Sequence, residues 1–246
     1  MNIYNEDCIS GAKKYIADGS VDLMICDPPF GLSETSFDKQ HYNRKANNII
    51  SGYVEAPPDY YRFTTEWMKE AYRVLKPNGS FYVFSGWTNL NHVLNALNEA
   101  GFVVINHIIW KYNFGVYTKK KFVSSHYHIL YCKKSKKAKP YFNRNCRFQD
   151  DARTNKGRSM VYKDMEDVWT INKEYCPGAV KNVNKLPEAL IEKIISYSSQ
   201  EEDVVCDFFL GNFTTAIVSQ RLNRRPCGFE INKESFDHYI DDVEIS

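Results

Sequence analysis

Compact apolar runs alternate with stretches of helical spacing along most of the chain. Residues 21–26 form a short apolar run that stops at Asp27-Pro28-Pro29, as a buried strand does when proline removes the next ladder donor. Residues 64–75 place Trp67, Ala71, Val74 and Leu75 at helical spacing, and Lys76-Pro77-Asn78-Gly79 ends that helix before a strand over 80–85. The pattern repeats over 89–100, where Leu90, Val93, Leu94 and Leu97 share a face and Gly101 follows. Further strands are expected at 103–110, 126–132, 204–206 and 226–229. Further helices are expected at 10–16, 186–197 and 214–222. Residues 33–58 and 143–179 lack clear periodicity and read as loops or insertions.

Repeated strand-then-helix units predict a mainly parallel sheet with helices on both faces. Such sheets carry ligands at the carboxyl ends of their strands. A chain of 246 residues with 43% hydrophobic content can bury one full domain core, so a single domain over 1–246 is expected. No leader-like start and no long apolar run is present in the sequence, so the reading is a soluble, cytoplasmic chain without membrane contact. The seven cysteines are odd in number and lack a Cys-x-x-Cys pair, which suggests neither a disulfide framework nor a metal site.

Charge changes the picture of the middle segment. Between Gly101 and Phe148 there is no Asp or Glu but eleven Lys and Arg, interleaved with aromatic residues including Tyr112, Tyr127 and Tyr131. Lys119, Lys120, Lys121, Lys133, Lys134, Lys136 and Lys137 are the candidates for contact with a phosphate backbone. An ordinary solvated face is the competing reading of a charge run.

Two sites carry chemistry. In Asp27-Pro28-Pro29-Phe30 the prolines fix an extended turn and leave the Asp27 carboxylate and the Pro28 carbonyl as neighbouring acceptors. An aromatic amine has two N–H donors and a delocalised, poorly nucleophilic lone pair. Two fixed acceptors would draw it toward tetrahedral geometry and free that lone pair. Phe30 offers a flat surface on which an extruded base could stack. A plain Asp-Pro turn is the alternative for this tetrapeptide taken alone. The second site runs from Asp207-Phe208-Phe209 through Gly211 to Phe213-Thr214-Thr215, between an expected strand and helix. A glycine there admits a ligand close to the backbone, and the helix start supplies unpaired N–H groups. Glu230 stands close to the roughly 20-residue spacing at which an acid reaches ribose hydroxyls in nucleoside-binding α/β units.

Together these segments resemble the β-class DNA amino-methyltransferases, the circularly permuted group in which the catalytic motif precedes the cofactor motif. The likeness runs from Asn5-Glu6-Asp7-Cys8 and Asp27-Pro28-Pro29-Phe30 through Arg73-Val74-Leu75-Lys76-Pro77-Asn78-Gly79, Asp167-Val168-Trp169 and Asn184-Lys185-Leu186-Pro187-Glu188 to the segment 207–215 and Gly228-Phe229-Glu230. It implies a Rossmann-like fold with a mainly parallel seven-stranded sheet, S-adenosylmethionine as cofactor, no metal, and a basic target-recognition insertion over about 112–180. By the same resemblance Asp27, Pro28, Pro29 and Phe30 are catalytic. Asp7, Cys8, Asp27, Lys185, Asp207, Phe209, Gly211, Thr214, Thr215 and Glu230 line the cofactor site, with Asp7 near the adenine and Lys185 near the amino-acid end. DNA is the implied partner; a homodimer and a cognate restriction endonuclease stay open. Phe208 replaces the family's usual proline, Phe213 its second glycine, and His126-Tyr127 its usual His-Glu pair. Phe213 bears on cofactor affinity, because bulk replaces a residue suited to close approach. Asp at the head of the catalytic motif favours adenine N6, with cytosine N4, a catalytically inactive DNA-binding homologue, and an RNA or protein amide methyltransferase as alternatives.

Overall fold

The computed structural model describes residues 2–31, 56–113, 115, 119–148, 162–174 and 185–245. Eight strands, β1 (Asn2–Tyr4), β2 (Val21–Cys26), β3 (Leu75–Ser85), β4 (Val103–Lys111), β5 (His126–Lys133), β6 (Val168–Thr170), β7 (Val204–Asp207) and β8 (Arg225–Phe229), form one sheet in the order β1-β8-β7-β2-β3-β5-β4-β6. Pairing is parallel from β1 across to β3, antiparallel on both sides of β5, and parallel again between β4 and β6.

Helices α1 (Cys8–Tyr15), α2 (Tyr60–Val74) and α3 (Leu90–Ala100) cover one face, and α4 (Glu188–Ser198) and α5 (Thr214–Arg221) the other. Strand β2 shows why both faces close. Val21, Met24 and Cys26 join Trp67, Met68 and Ala71 of α2 on one side, while Leu23 and Ile25 join Leu190, Ile191 and Ile194 of α4 on the other. A run buried on both sides reads as continuously apolar, which is how it stands in the sequence. Trp67 is fully buried, and its truncation to alanine would cost about 3–5 kcal/mol. Helix α6 (Lys233–Ile245) packs beyond α5 around Phe213 and Val243.

Three details differ from the sequence expectation. Among the described residues the sheet has eight strands where seven were expected. Neither edge strand was among the segments read as strands: β1 and β6 have three residues each, too few to show periodicity, and β6 lies inside the stretch read as loops. Lys76-Pro77-Asn78-Gly79 does not stand between helix and strand: β3 already begins at Leu75, and the register slips between Val21 opposite Leu75 and Leu23 opposite Ser80. Asp22 sits at that irregularity and accepts from Lys76 Nζ (2.6 Å) and from the Val204 N–H (3.0 Å), joining β2 to both neighbours. Finally, the segment assigned to recognition contains β5, which pairs with β3 and β4 inside the sheet. The unperiodic stretch 33–58 lies outside the described residues except for 56–58.

A buried ion pair fixes the recognition segment to α4. Lys193 Nζ lies 2.9 Å from Asp164 Oδ1, and the same carboxylate accepts from Tyr197 and, at 2.7 Å, from the Phe148 N–H. Burial works against this carboxylate, but the Tyr197, Lys193 and Phe148 hydrogen bonds outweigh it and hold its pKa below the ordinary range. Removing one partner of such a pair strands the other charge, at roughly 3–5 kcal/mol.

Candidate active site

The two motifs that stand at opposite ends of the chain meet because β2 and β7 are parallel neighbours. Leu23 pairs with Val205 and Met24 with Cys206, so Asp207 closes β7 beside the end of β2, just before Asp27. This is the carboxyl-end crevice of a doubly wound sheet. Asp27 is half-buried. Loss of water, the nearby Asp207 charge and, in opposition, the Lys173 ammonium set its pKa at about 8.

Phe30 is held by its backbone. Asn89 Nδ2, just ahead of α3, donates to the Phe30 carbonyl at 2.7 Å and to the Gly31 carbonyl at 3.2 Å. The Phe30 ring leans on Tyr127 with centroids 5.3 Å apart. Tyr127 continues into a cluster with Tyr112 (5.3 Å) and Trp110 (5.8 Å). A base between Phe30 and Tyr127 would need them roughly 7 Å apart, two van der Waals contacts, so its entry has to part these rings. Asn89, Trp110, Tyr112, Tyr127 and Lys173 belong to the site by geometry. The sequence reading assigned none of them a role there, although the Tyr127 position was marked as a departure from the family.

Around the second motif, Gly211 has φ 53°, a left-handed conformation that favours glycine. Its N–H donates to Glu230 Oε2 at 2.7 Å, while Glu230 Oε1 accepts from the Asn232 N–H at 2.7 Å. One oxygen of this acid therefore braces the turn and the other the chain just after Glu230. Burial raises the Glu230 pKa, with these two N–H groups acting in the other direction. Asp207 is braced in the same way, accepting from the Phe209 N–H (2.8 Å) and from Thr215 Oγ1 (2.7 Å), and desolvation carries its pKa to about 7. Gly228 is required beside it, because a Cβ there would lie 2.1 Å from the Asp207 carbonyl oxygen.

The other expected cofactor residues divide into several roles. Asp7 caps α1, its Oδ1 accepting from the Ile9 N–H (3.1 Å) and the Ser10 N–H (3.0 Å). Cys8 is buried against that helix start, and burial pushes its thiol pKa far up, which makes it an inert packing group. Phe209 stacks edge-on against Trp67 at 5.2 Å and fixes the turn to α2. Lys185 lies near Glu174 (3.3 Å) and Glu188 (3.5 Å) at the start of α4. Thr214 opens α5, and its buried Oγ1 has no hydrogen-bond partner among the described residues.

Phe213 stands in the core at the start of α5. Its backbone adopts φ 61°, the conformation a glycine would take, and its ring is fully buried against Phe236 (5.8 Å) and Tyr239 (6.2 Å) of α6, in one cluster with Leu210. Phe208 likewise packs inward, on Phe229 at 5.6 Å.

The basic block is divided. Lys119, Lys120 and Lys121 are exposed in the connection between β4 and β5, at the Asp27 end of the sheet. Lys133 closes the other end of β5 and Lys134, Lys136 and Lys137 follow it; the register sets Cys26 level with Val83 and Leu130, so β5 carries Lys133 about 10 Å away from that level, toward the opposite end of the sheet. Lys134 Nζ donates to the Leu75 carbonyl (2.6 Å), and Lys133 Nζ donates to the Lys136 (3.1 Å) and Ala138 (3.2 Å) carbonyls. The sequence reading treated these seven lysines as one surface; the antiparallel strand makes two.

The site fits a cationic nucleoside cofactor. Two desolvated carboxylates, Asp27 and Asp207, gain from a positive ligand group, and the unpaired Thr214 hydroxyl and the N–H groups at the start of α5 suit its carboxylate. Among solved structures, the M1.HpyAVI–SAM complex matches with a TM-score of 0.68 at 23% identity, covering 98% of each chain. PvuII DNA methyltransferase, described as cytosine-N4-specific, matches with a TM-score of 0.70 at 16% identity, covering 98% of this chain and 84% of that one. The architecture is therefore that of an α/β methyltransferase.

The sequence comparisons narrow the class. A family model described as DNA methylase, covering N6 and N4 enzymes, matches residues 21–241. Type II methyltransferase M.HpaI of Haemophilus parainfluenzae is 31% identical over 229 residues, 91% of this chain and 68% of that one. Type II methyltransferase M2.DpnII of Streptococcus pneumoniae is 32% identical over 230 residues, 87% and 79%. The chain belongs to the N6/N4 DNA methylase family, whose members take their methyl group from S-adenosylmethionine.

Proposed function

We propose that this chain methylates adenine N6 in DNA, with Asp27 as the group that orients and deprotonates the amine. The observation that carries this reading is the placement of Asp27 beside Asp207 by the β2–β7 pairing, with Phe30 anchored next to it by Asn89. S-adenosylmethionine supplies an electrophilic methyl group. Asp207, Gly211, Thr214 and the turn braced by Glu230 would hold it. Asp27 and the Pro28 carbonyl accept the two amine hydrogens, which turns the nitrogen lone pair toward the incoming carbon. When the methyl–sulfur bond breaks in favour of the nitrogen, with the neutral thioether S-adenosylhomocysteine leaving, Asp27 would take one amine proton. A carboxylate with a pKa near 8 is well matched to that task at neutral pH. Phe30 provides the face on which the extruded base rests. An acid at the head of the motif, where cytosine-N4 enzymes more often carry serine, supports adenine. The type II names of the relatives support a cognate restriction endonuclease as companion.

Mapping of modified bases in DNA from cells that express the protein tests this reading. The expected result is N6-methyladenine in one sequence context, absent when Asp27→Ala is expressed. N4-methylcytosine would transfer the same mechanism to the smaller base. Absence of both from the DNA would overturn the reading in favour of an inactive binding homologue or a non-DNA substrate.

A further inference from the structure

Three aromatic rings converge on a single ammonium beside the catalytic acid. Lys173 Nζ lies 4.6 Å from the centre of the Tyr112 ring, 5.1 Å from Tyr127 and 5.9 Å from Trp110. Tyr127 in turn touches Phe30, so the ammonium shares an enclosure with the catalytic tetrapeptide, and Asp27 and Lys173 act on each other's charge. The backbone keeps it there. Ile171 donates its N–H to the Lys111 carbonyl (3.1 Å) and accepts from Trp110 Nε1 (2.8 Å), which pins the chain to β4 two residues before Lys173. Lys173 is half-buried, and burial lowers its pKa while Asp27 works to restore it. A lysine with only a solubilising task would extend into water.

The chemistry of the target base gives this cation a task. In adenine and cytosine the exocyclic amine is flanked by a ring nitrogen that carries a lone pair and no hydrogen. In its ionised, catalytic form Asp27, like the Pro28 carbonyl, can only accept from the amine, and neither Pro28 nor Pro29 has an N–H, so the motif then leaves that ring nitrogen without a donor. A buried acceptor left unmatched opposes binding. Resting on the methyltransferase reading above, we propose that Lys173 reads the target base, donating from its ammonium to the ring nitrogen beside the amine, N1 of adenine or N3 of cytosine. Guanine and thymine present a carbonyl to Asp27 and an N–H to Lys173, so both contacts become repulsive. Lys173 is thus the specificity-determining partner of Asp27, supplied by the recognition segment.

Atomic substitution in the base tests this. Duplexes carry the chain's own target sequence, found by modified-base mapping, with the target adenine replaced by 1-deazaadenine, or a target cytosine by 3-deazacytosine. Single-turnover methyl transfer is compared for wild type, Lys173→Met and Lys173→Arg. The wild type is expected to lose on the order of 10- to 100-fold on the deaza base. Lys173→Met should lose a similar factor on the natural base and nothing further on the deaza base, and Lys173→Arg should retain part of the discrimination. A deaza penalty of the same size in wild type and Lys173→Met, or no penalty in the wild type, overturns the proposal. Lys173→Met is checked for retained cofactor binding by calorimetry; if it fails that check, the Lys173→Arg and wild-type arms decide. A wild type that transfers no methyl group to either natural base sinks the underlying reading instead, before any variant is compared.

Discussion

Glu230 and Gly211 are joined by a 2.7 Å hydrogen bond from the glycine N–H to the carboxylate, so the acid at the end of β8 holds the shape of the turn that opens α5. With its second oxygen taken by the Asn232 N–H, this acid acts on the cofactor site first through the backbone. Glu230→Gln places an amide N–H against a backbone donor and removes the charge from two hydrogen bonds. It is expected to lower folding stability by about 1.5–3 kcal/mol and to weaken cofactor binding as the turn relaxes. Denaturant unfolding and calorimetry on the same variant check this; unchanged stability with lost binding would assign Glu230 to the ligand alone.

Phe213 combines a strained backbone with a buried ring. Phe213→Gly relieves the left-handed φ of 61°, worth about 1 kcal/mol, but removes a core aromatic, at roughly 3–5 kcal/mol. The expected outcome is a net loss of stability with cofactor affinity of the folded fraction retained. A variant as stable as wild type would show that packing against α6 contributes little.

Strand β2 and the two motif ends were legible in the sequence because each is bounded by residues with a single local meaning: prolines after Cys26, a glycine inside the 207–215 turn. What escaped depends on pairing across distance. Asn89 was read as the start of a helix, and only the fold brings its side chain to the Phe30 carbonyl. Lys173 stands in a stretch without periodicity, and its role needs rings from β4, the residue after it, and β5. Charge counted along the chain placed Lys119–Lys121 and Lys133–Lys137 together; an antiparallel strand between them puts them at opposite ends of the sheet. That the Phe213 ring packs against α6 was not legible either, because sequence position fixes the backbone site but not the direction of the side chain.

The division of the lysines has a measurable consequence. Replacing Lys119, Lys120 and Lys121 by alanine should weaken DNA binding and flatten the slope of log K against log salt, by up to about 0.9 for each phosphate no longer neutralised. Replacing Lys136 and Lys137 should leave the slope unchanged. The reverse pattern in a salt titration would move the DNA path to the far end of the sheet.

Asp27 should also govern pH dependence. Desolvation and Asp207 raise its folded pKa to about 8 against the pull of Lys173, above the roughly 4 of an unfolded chain. Ionising it therefore costs the folded state: the cost is absent below about pH 4, grows as pH rises and is complete above about 8. Asp27→Asn removes it, so the variant's stability advantage over wild type should widen between pH 5 and about pH 9 in thermal unfolding. Over the same range wild-type kcat/KM should rise as the carboxylate forms. A flat stability difference across that range would contradict the desolvated carboxylate with its raised pKa.

The most direct measurement is single-turnover methyl transfer by Asp27→Ala at saturating cofactor. Because the carboxylate acts on the amine as the methyl group transfers, the rate should fall by at least about 100-fold, with cofactor and DNA affinity changed little. An Asp27→Ala protein that transfers methyl groups at most of the wild-type rate would contradict the assignment of Asp27 as the catalytic acceptor.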